Sequence, residues 1–199
     1  MSAFELVFAV FGLLLGLAVA EVLGGFSRAL KRKRGNRPVR IGWLTPLLGL
    51  LVVLDLMSFW LVAWEARNQI GADYLTLVAV LGIVGIYYLA ATLIFPDEPE
   101  QWPDFDDWYD KQNRLVIAGL LIANVGSWIG QIALEIVKPS PEAELAMSEA
   151  AEWLVGGGGL CLVALLTALL KVKGRRANVA MLAVAIVLLM VVGVGEGLV

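Results

Sequence analysis

Of the 199 residues, 60% are hydrophobic before the 21 glycines are counted and only 17% are charged. A soluble domain has roughly 45–50% apolar residues with glycine included and about 25% charged. One core of this size cannot absorb the excess, so a soluble globule and a disordered chain are both excluded.

Apolar stretches long enough to cross about 30 Å of hydrocarbon recur along the chain. They predict an all-α, polytopic membrane helix bundle, a single domain over 1–199 with six transmembrane helices. The first, Phe4–Ser27, follows a head without the basic segment of a signal peptide, and its apolar run exceeds the roughly 7–15 residues of such a peptide's core. It is read as a retained span. Gly12, Gly16, Ala20 and Gly24 recur on it at every fourth residue, the small-residue pattern that lets helices approach closely. Glu21 lies about 9 Å from its inner end at 1.5 Å per residue. The connection Arg28–Arg40 then carries Arg28, Lys31, Arg32, Lys33, Arg34, Arg37 and Arg40.

The second span, Ile41–Trp64, has Pro46 near its start, where the missing N–H costs little. Asp55 stands about 21 Å from its inner end, with Ser58 one turn on. As antiparallel neighbours, Glu21 and Asp55 are expected about 12 Å apart along the membrane normal, as successive stations rather than a pair sharing one proton. After the third span, Tyr74–Phe95, comes an acidic connection, Pro96–Lys111, holding Asp97, Glu98, Glu100, Asp104, Asp106, Asp107 and Asp110. Asp104 is a good helix start, with negative charge favoured in the first turn. Phe105, Trp108 and Tyr109 then share one face of a helix running into span four. Such a cluster can dock a basic partner or a divalent cation, or pair with the basic first connection. The preferred reading is a solvated acidic turn that balances the basic first connection, direct pairing being one form of it, because the pattern lacks the glycine and distal glutamate of a calcium loop.

Span four, Leu115–Val137, carries Asn124, Ser127, Gln131 and Glu135 on one helical face, a stripe that lipid would penalise. Gly126 and Gly130 form a second small-residue pair on it. The outer connection, Ser140–Glu152, reads as an acidic helix capped at Ser140. Span five, Trp153–Leu170, contains Gly156, Gly157, Gly158 and Gly159 in succession, which predicts a bend, a broken helix or a very close neighbour. Span six is Ala177–Val199.

An even number of spans puts both termini on one side. Thirteen of the 15 Lys and Arg fall on the opposite face, leaving Arg67 and Lys138 alone. That bias makes the rich face cytoplasmic and both termini outer. Trp43 at the inner end of span two, with Trp60, Trp64 and Trp153 toward the outer side, forms the expected aromatic belts.

The absence of histidine removes the commonest general base and the usual haem ligand. Cys161 stands alone in an apolar run, so no disulfide forms within the chain and no cysteine cluster holds a metal. No glycine-rich phosphate loop follows a strand-like segment. Neither an enzyme nor a cofactor or metal is expected, and nucleic acid is not an expected partner. The run Gly16–Gly25 with its Glu21, and the Trp-rich stretch Asp55–Trp64, resemble small bacterial inner-membrane proteins, a likeness that implies a bacterial inner membrane and carries no activity. With the charge bias, the termini are then expected to be periplasmic.

Two functional readings follow. In the first, this is a non-catalytic accessory or assembly subunit whose small-residue faces bind partner helices or copies of itself in the lipid bilayer. In the second, Glu21, Asp55, Ser58, Asn124, Ser127, Gln131 and Glu135 line the path of a proton- or cation-conducting channel or carrier. A bland account of Asp55 also exists, a hydrogen bond to Asn124 or Gln131 that cements the helices. Glu21 can likewise pair with Arg28 or Arg40. A lipid or quinone pocket among the aromatics is a third, more distant reading.

Overall fold

The computed structural model of the protein describes residues 3–34, 39–98, 101–139 and 149–196. Six α-helices account for most of them: α1 Ala3–Lys33, α2 Leu44–Glu65, α3 Tyr74–Thr92, α4 Phe105–Val137, α5 Glu149–Lys171 and α6 Arg175–Glu196. A short 3₁₀ turn, Ala66–Asn68, follows α2, and no strand occurs among the described residues. Five helices are long and apolar enough to cross a membrane, while the described apolar stretch of α5, Gly156–Lys171, is shorter. The expected span five, Trp153–Leu170, lies within α5.

Helix ends depart from the apolar runs for local reasons. α1 continues past Ser27 and ends on Lys31, Arg32 and Lys33, cations that complement the negative pole of a helix C-terminus. α4 begins at Phe105 rather than Leu115. Asp104 caps it by accepting a hydrogen bond from Asp106 N at 2.9 Å, and Asp106 and Asp107 occupy its first turn. At the start of α3, Asp73 accepts from Thr76 N at 3.0 Å and from Thr76 Oγ1 at 2.6 Å. Those bonds favour the charged form and hold the Asp73 carboxyl below the usual carboxylate range. The acidic helix expected at Ser140 falls largely outside the described residues.

Successive helices run antiparallel. Phe4 and Phe8 of α1 meet Trp64, and Phe8 also meets Trp60, at the far end of α2. At the other end Phe26 meets Phe95, and Phe95 meets Phe105. α2 and α4 form the centre, with α1 and α3 packed on one side and α5 and α6 on the other. α1 leans mainly on α3 rather than on its sequence neighbour α2. Leu48, Leu51, Val52 and Leu56 of α2, with Val116, Ile117, Leu120 and Ala123 of α4, are almost fully buried. The outward faces stay apolar, with Leu13, Leu23, Leu75, Leu115 and Ile132 all exposed.

At the end carrying Lys33, Leu44 and Phe105, here the basic end, the acidic connection closes on its basic neighbours. Arg40 N donates to Pro103 O at 2.8 Å, and Phe105 N donates to Arg40 O at 2.9 Å. The Arg40 guanidinium lies 3.4 Å from Asp104, and Arg175 reaches Asp107 at 2.5 Å and Asp110 at 2.7 Å. Asp106 accepts from Leu44 N at 3.3 Å, and Thr45 Oγ1 donates to Phe105 O at 2.9 Å. Among the described residues, Asp104 thus pairs with the basic first connection through Arg40, whereas Asp107 and Asp110 stay partly exposed and pair with Arg175 at the start of α6, and Asp106 accepts from backbone. The Arg175 pairs are exposed and each contributes about 0–1 kcal/mol. They tie the last connection to α4 rather than hold the fold. Gly42, at φ +63°, turns the chain where any side chain would strike the Asp106 carboxylate.

The glycine patterns resolve into different roles. α5 runs unbroken through Gly156–Gly159. A Cβ on Gly159 would sit 2.6 Å from the Trp128 ring of α4, and one on Gly158 would strike Val192 of α6. Close packing, not a bend or break, explains those two, while Gly156 and Gly157 face open space. In α1, a Cβ on Gly12 would lie 3.1 Å from the Trp60 ring, one on Gly24 would meet only Arg28, and one on Gly16 would have nothing within 4 Å. Ala20 is exposed, so the every-fourth-residue ladder is not one interior interface. The tightest contact on α1 is at Gly25, outside the ladder, where a Cβ would enter the Phe95 ring.

Candidate functional site

The deepest charged residue lies where three helices meet. Asp55 of α2 is only 2% exposed, a position a carboxyl holds only with partners. Its Oδ2 accepts from Tyr87 Oη of α3 at 3.0 Å and from Asn124 Nδ2 of α4 at 2.9 Å. Asn124 Nδ2 also donates to Leu120 O at 2.9 Å, so one amide serves both its own helix and its neighbour. Asp55 Oδ1 has no hydrogen-bond partner among the described residues. The Phe59 ring packs 5.5 Å from the Tyr87 ring and covers the network on the side away from the basic end.

Beyond Phe59 a cavity of about 490 Å³ opens between α1, α2, α3 and α4. Leu15, Phe59, Val84 and Ser127 line it on the side toward Asp55, and Gln69, Asp73 and Lys138 line it at the helix ends away from the basic end, here its mouth. Its walls are chiefly aromatic and aliphatic. The polar side chains among them are few, and two, Ser127 and Gln131, lie along α4. At the mouth Gln69 Nε2 donates to Glu135 Oε2 at 2.7 Å and to Lys138 O at 2.9 Å, joining the turn after α2 to the end of α4. Lys138 Nζ returns a bond to Gln69 O at 3.3 Å. Beside it, Arg67 stacks 5.4 Å above the Trp64 ring.

The structure separates the predicted path residues. Glu21 is half-exposed on α1 and accepts from Arg28 at 2.7 Å, the simpler of the two roles considered for it. Ser58 Oγ donates to Leu54 O of its own helix at 3.2 Å and bonds to no other helix among the described residues. Asn124 reaches Asp55, whereas Ser127 and Gln131 border the cavity and Glu135 accepts from Gln69 beside it. The span-four stripe is thus real as a face, but it changes environment along its length. A Cβ on Gly126 would lie 3.8 Å from Ile83, and Gly130 lines the cavity with nothing within 4 Å of its Cβ position.

Sequence reasoning missed Tyr87. Its hydroxyl falls inside an apolar run next to Tyr88, and only packing distinguishes the first, 1% exposed, from the second, 36% exposed. The cavity was also illegible, since it depends on how four helices diverge. No group of three or more His, Cys, Asp or Glu able to hold a metal occurs among the described residues. Cys161 is a free, exposed thiol.

Comparison of the chain with protein-family models, with curated proteins and with solved structures finds no match.

Proposed function

We propose that this protein is a non-catalytic, multi-pass subunit of a bacterial cytoplasmic membrane that binds partner helices or further copies of itself. Both termini face outward in this reading, because the clustered Lys and Arg of the basic end belong on the cytoplasmic side. The exposed apolar belts on every helix support immersion in lipid. The observation that carries the subunit reading is the use made of Asp55. Its partners are structural, one from each adjoining helix, and the residues between it and the basic end, such as Leu48, Leu51 and Leu120, are apolar and buried. A carboxyl held in this way joins helices.

The face left for a partner is on α1, where Gly16 and Ala20 are exposed between Leu13, Leu17 and Leu23. Small residues there let a second helix approach its backbone. The test is the native mass of the complex extracted in mild detergent, compared between the wild type and Gly16→Leu. Gly16 is exposed and a Cβ there meets nothing within 4 Å, so the substitution starts from open space. The wild type is expected to run as an assembly and the variant as a smaller species. Equal masses would place that face against lipid and remove the proposal.

One observation favours the conducting alternative: the unpartnered, buried Asp55 Oδ1 lies one helical turn from Phe59, which lines the cavity. In that reading Asp55→Asn abolishes proton or cation flux in reconstituted vesicles while leaving expression unchanged. Flux that persists at the wild-type rate, or no flux in either protein, excludes Asp55 as a carrier.

A further inference from the structure

We infer that the cavity between α1, α2, α3 and α4 is a binding site for one acyl chain of a zwitterionic membrane phospholipid, whose headgroup rests on Lys138 and Asp73 at the mouth. The inference rests on the membrane-spanning reading above and adds a ligand to it. Water is a poor occupant. The walls contributed by Phe8, Phe11, Phe59, Trp60 and Val80 offer it almost no hydrogen-bonding partners. A void of about 490 Å³ left empty would also forfeit the dispersion contacts that close-packed interiors make. That volume lies within the range of small-molecule sites, which are likewise mostly apolar with a few placed polar groups.

The shape suits a chain rather than a compact molecule. The lining reaches from Asp73 to Val84, eleven residues along α3 or about 16 Å at 1.5 Å per residue. That length takes most of an extended acyl chain. The mouth suits a headgroup with both charges. Lys138 uses one of its three N–H donors on Gln69 O and keeps the others for a phosphate oxygen. The Asp73 carboxylate lines the same mouth, held in place by Thr76 and available to an ammonium group. Lys138 and Arg67 are the two basic residues outside the basic end, and both lie at this mouth or beside it. A purely anionic headgroup would meet Asp73 and Glu135 there as well, which disfavours it.

Gly130 supplies the test, because it lines the cavity and a Cβ added there has no atom within 4 Å. Gly82 is the control, an exposed glycine of α3 outside the cavity that also has nothing within 4 Å. Release from the membrane only by detergent is established first, so failure of the membrane reading shows itself separately. Purified protein stripped of co-extracted lipid is then titrated with dioleoylphosphatidylethanolamine, and bound lipid is counted by native mass spectrometry. We expect one lipid per wild-type chain, at least tenfold weaker binding by Gly130→Trp, and no change in Gly82→Trp. If Gly130→Trp does not fold, the exposed Lys138→Glu replaces it and should bind several-fold more weakly. Wild-type affinity in the cavity variant overturns the site. Equal binding of dioleoylphosphatidylglycerol, or displacement of the phospholipid by an equimolar prenyl quinone, overturns the identity of the occupant.

Discussion

Gly159→Leu is expected to prevent α5 from seating against α4. Even the Cβ of an alanine would lie 2.6 Å from the Trp128 ring, well inside contact distance, and the rigid indole has little freedom to yield. Overpacking of a filled interior costs about 1–3 kcal/mol for modest additions. Gly159→Ala should fall in that range, and leucine should exceed it. The same run of four glycines contains its own control. Gly156 and Gly157 meet nothing within 4 Å, and alanine is preferred over glycine in a helix interior by about 1 kcal/mol. Gly156→Ala and Gly157→Ala should therefore leave the apparent Tm in mild detergent unchanged or raise it, while Gly159→Ala lowers it. A uniform response across the four positions would mean that helix propensity, not the close approach to Trp128, governs this segment.

Asp55→Leu is expected to destabilise the bundle by about 1–3 kcal/mol, the cost of leaving a buried donor unpaired. Tyr87 Oη loses its acceptor, whereas Asn124 keeps its bond to Leu120 O. Tyr87→Phe introduced alongside Asp55→Leu should recover most of the loss, because it removes the stranded hydroxyl. Asp55→Asn, which retains an acceptor oxygen, should cost less than Asp55→Leu. Unfolding of the two single variants and the double variant gives the coupling directly. Strictly additive effects would show that the Asp55–Tyr87 hydrogen bond adds nothing to stability, and that Asp55 is held for some other purpose.

These two sites differ in how far their residues reveal them. The four glycines are conspicuous in the chain, and so is a lone aspartate amid apolar residues. What neither displays is its partner. Trp128 and Val192 are distant from Gly158 and Gly159 in the chain, and Tyr87 and Asn124 are distant from Asp55. The small-residue ladder of α1 illustrates the same gap. Its regular spacing draws attention to Gly16, which faces open space, and passes over Gly25, on which the Phe95 ring sits. Spacing identifies which residues share a face of one helix. It carries no information about which neighbour that face meets.

The apolar runs alone establish a chain built of helices and the approximate position of each, because hydrocarbon thickness and intrahelical hydrogen bonding act within a single segment. The charge asymmetry of the connections and the Asp104 start of α4 are legible for the same reason, being local in the chain. Tertiary packing decided the rest. It placed α1 against α3, put α2 and α4 at the centre, joined Asp55 to Tyr87 and Asn124, and left a cavity along Ser127, Gly130 and Gln131. Each of these depends on side-chain shapes meeting across helices whose contacting residues lie far apart in the chain. Apolar faces of similar hydrophobicity differ little in transfer energy. The choice among their pairings therefore falls to steric fit and to a few buried hydrogen bonds.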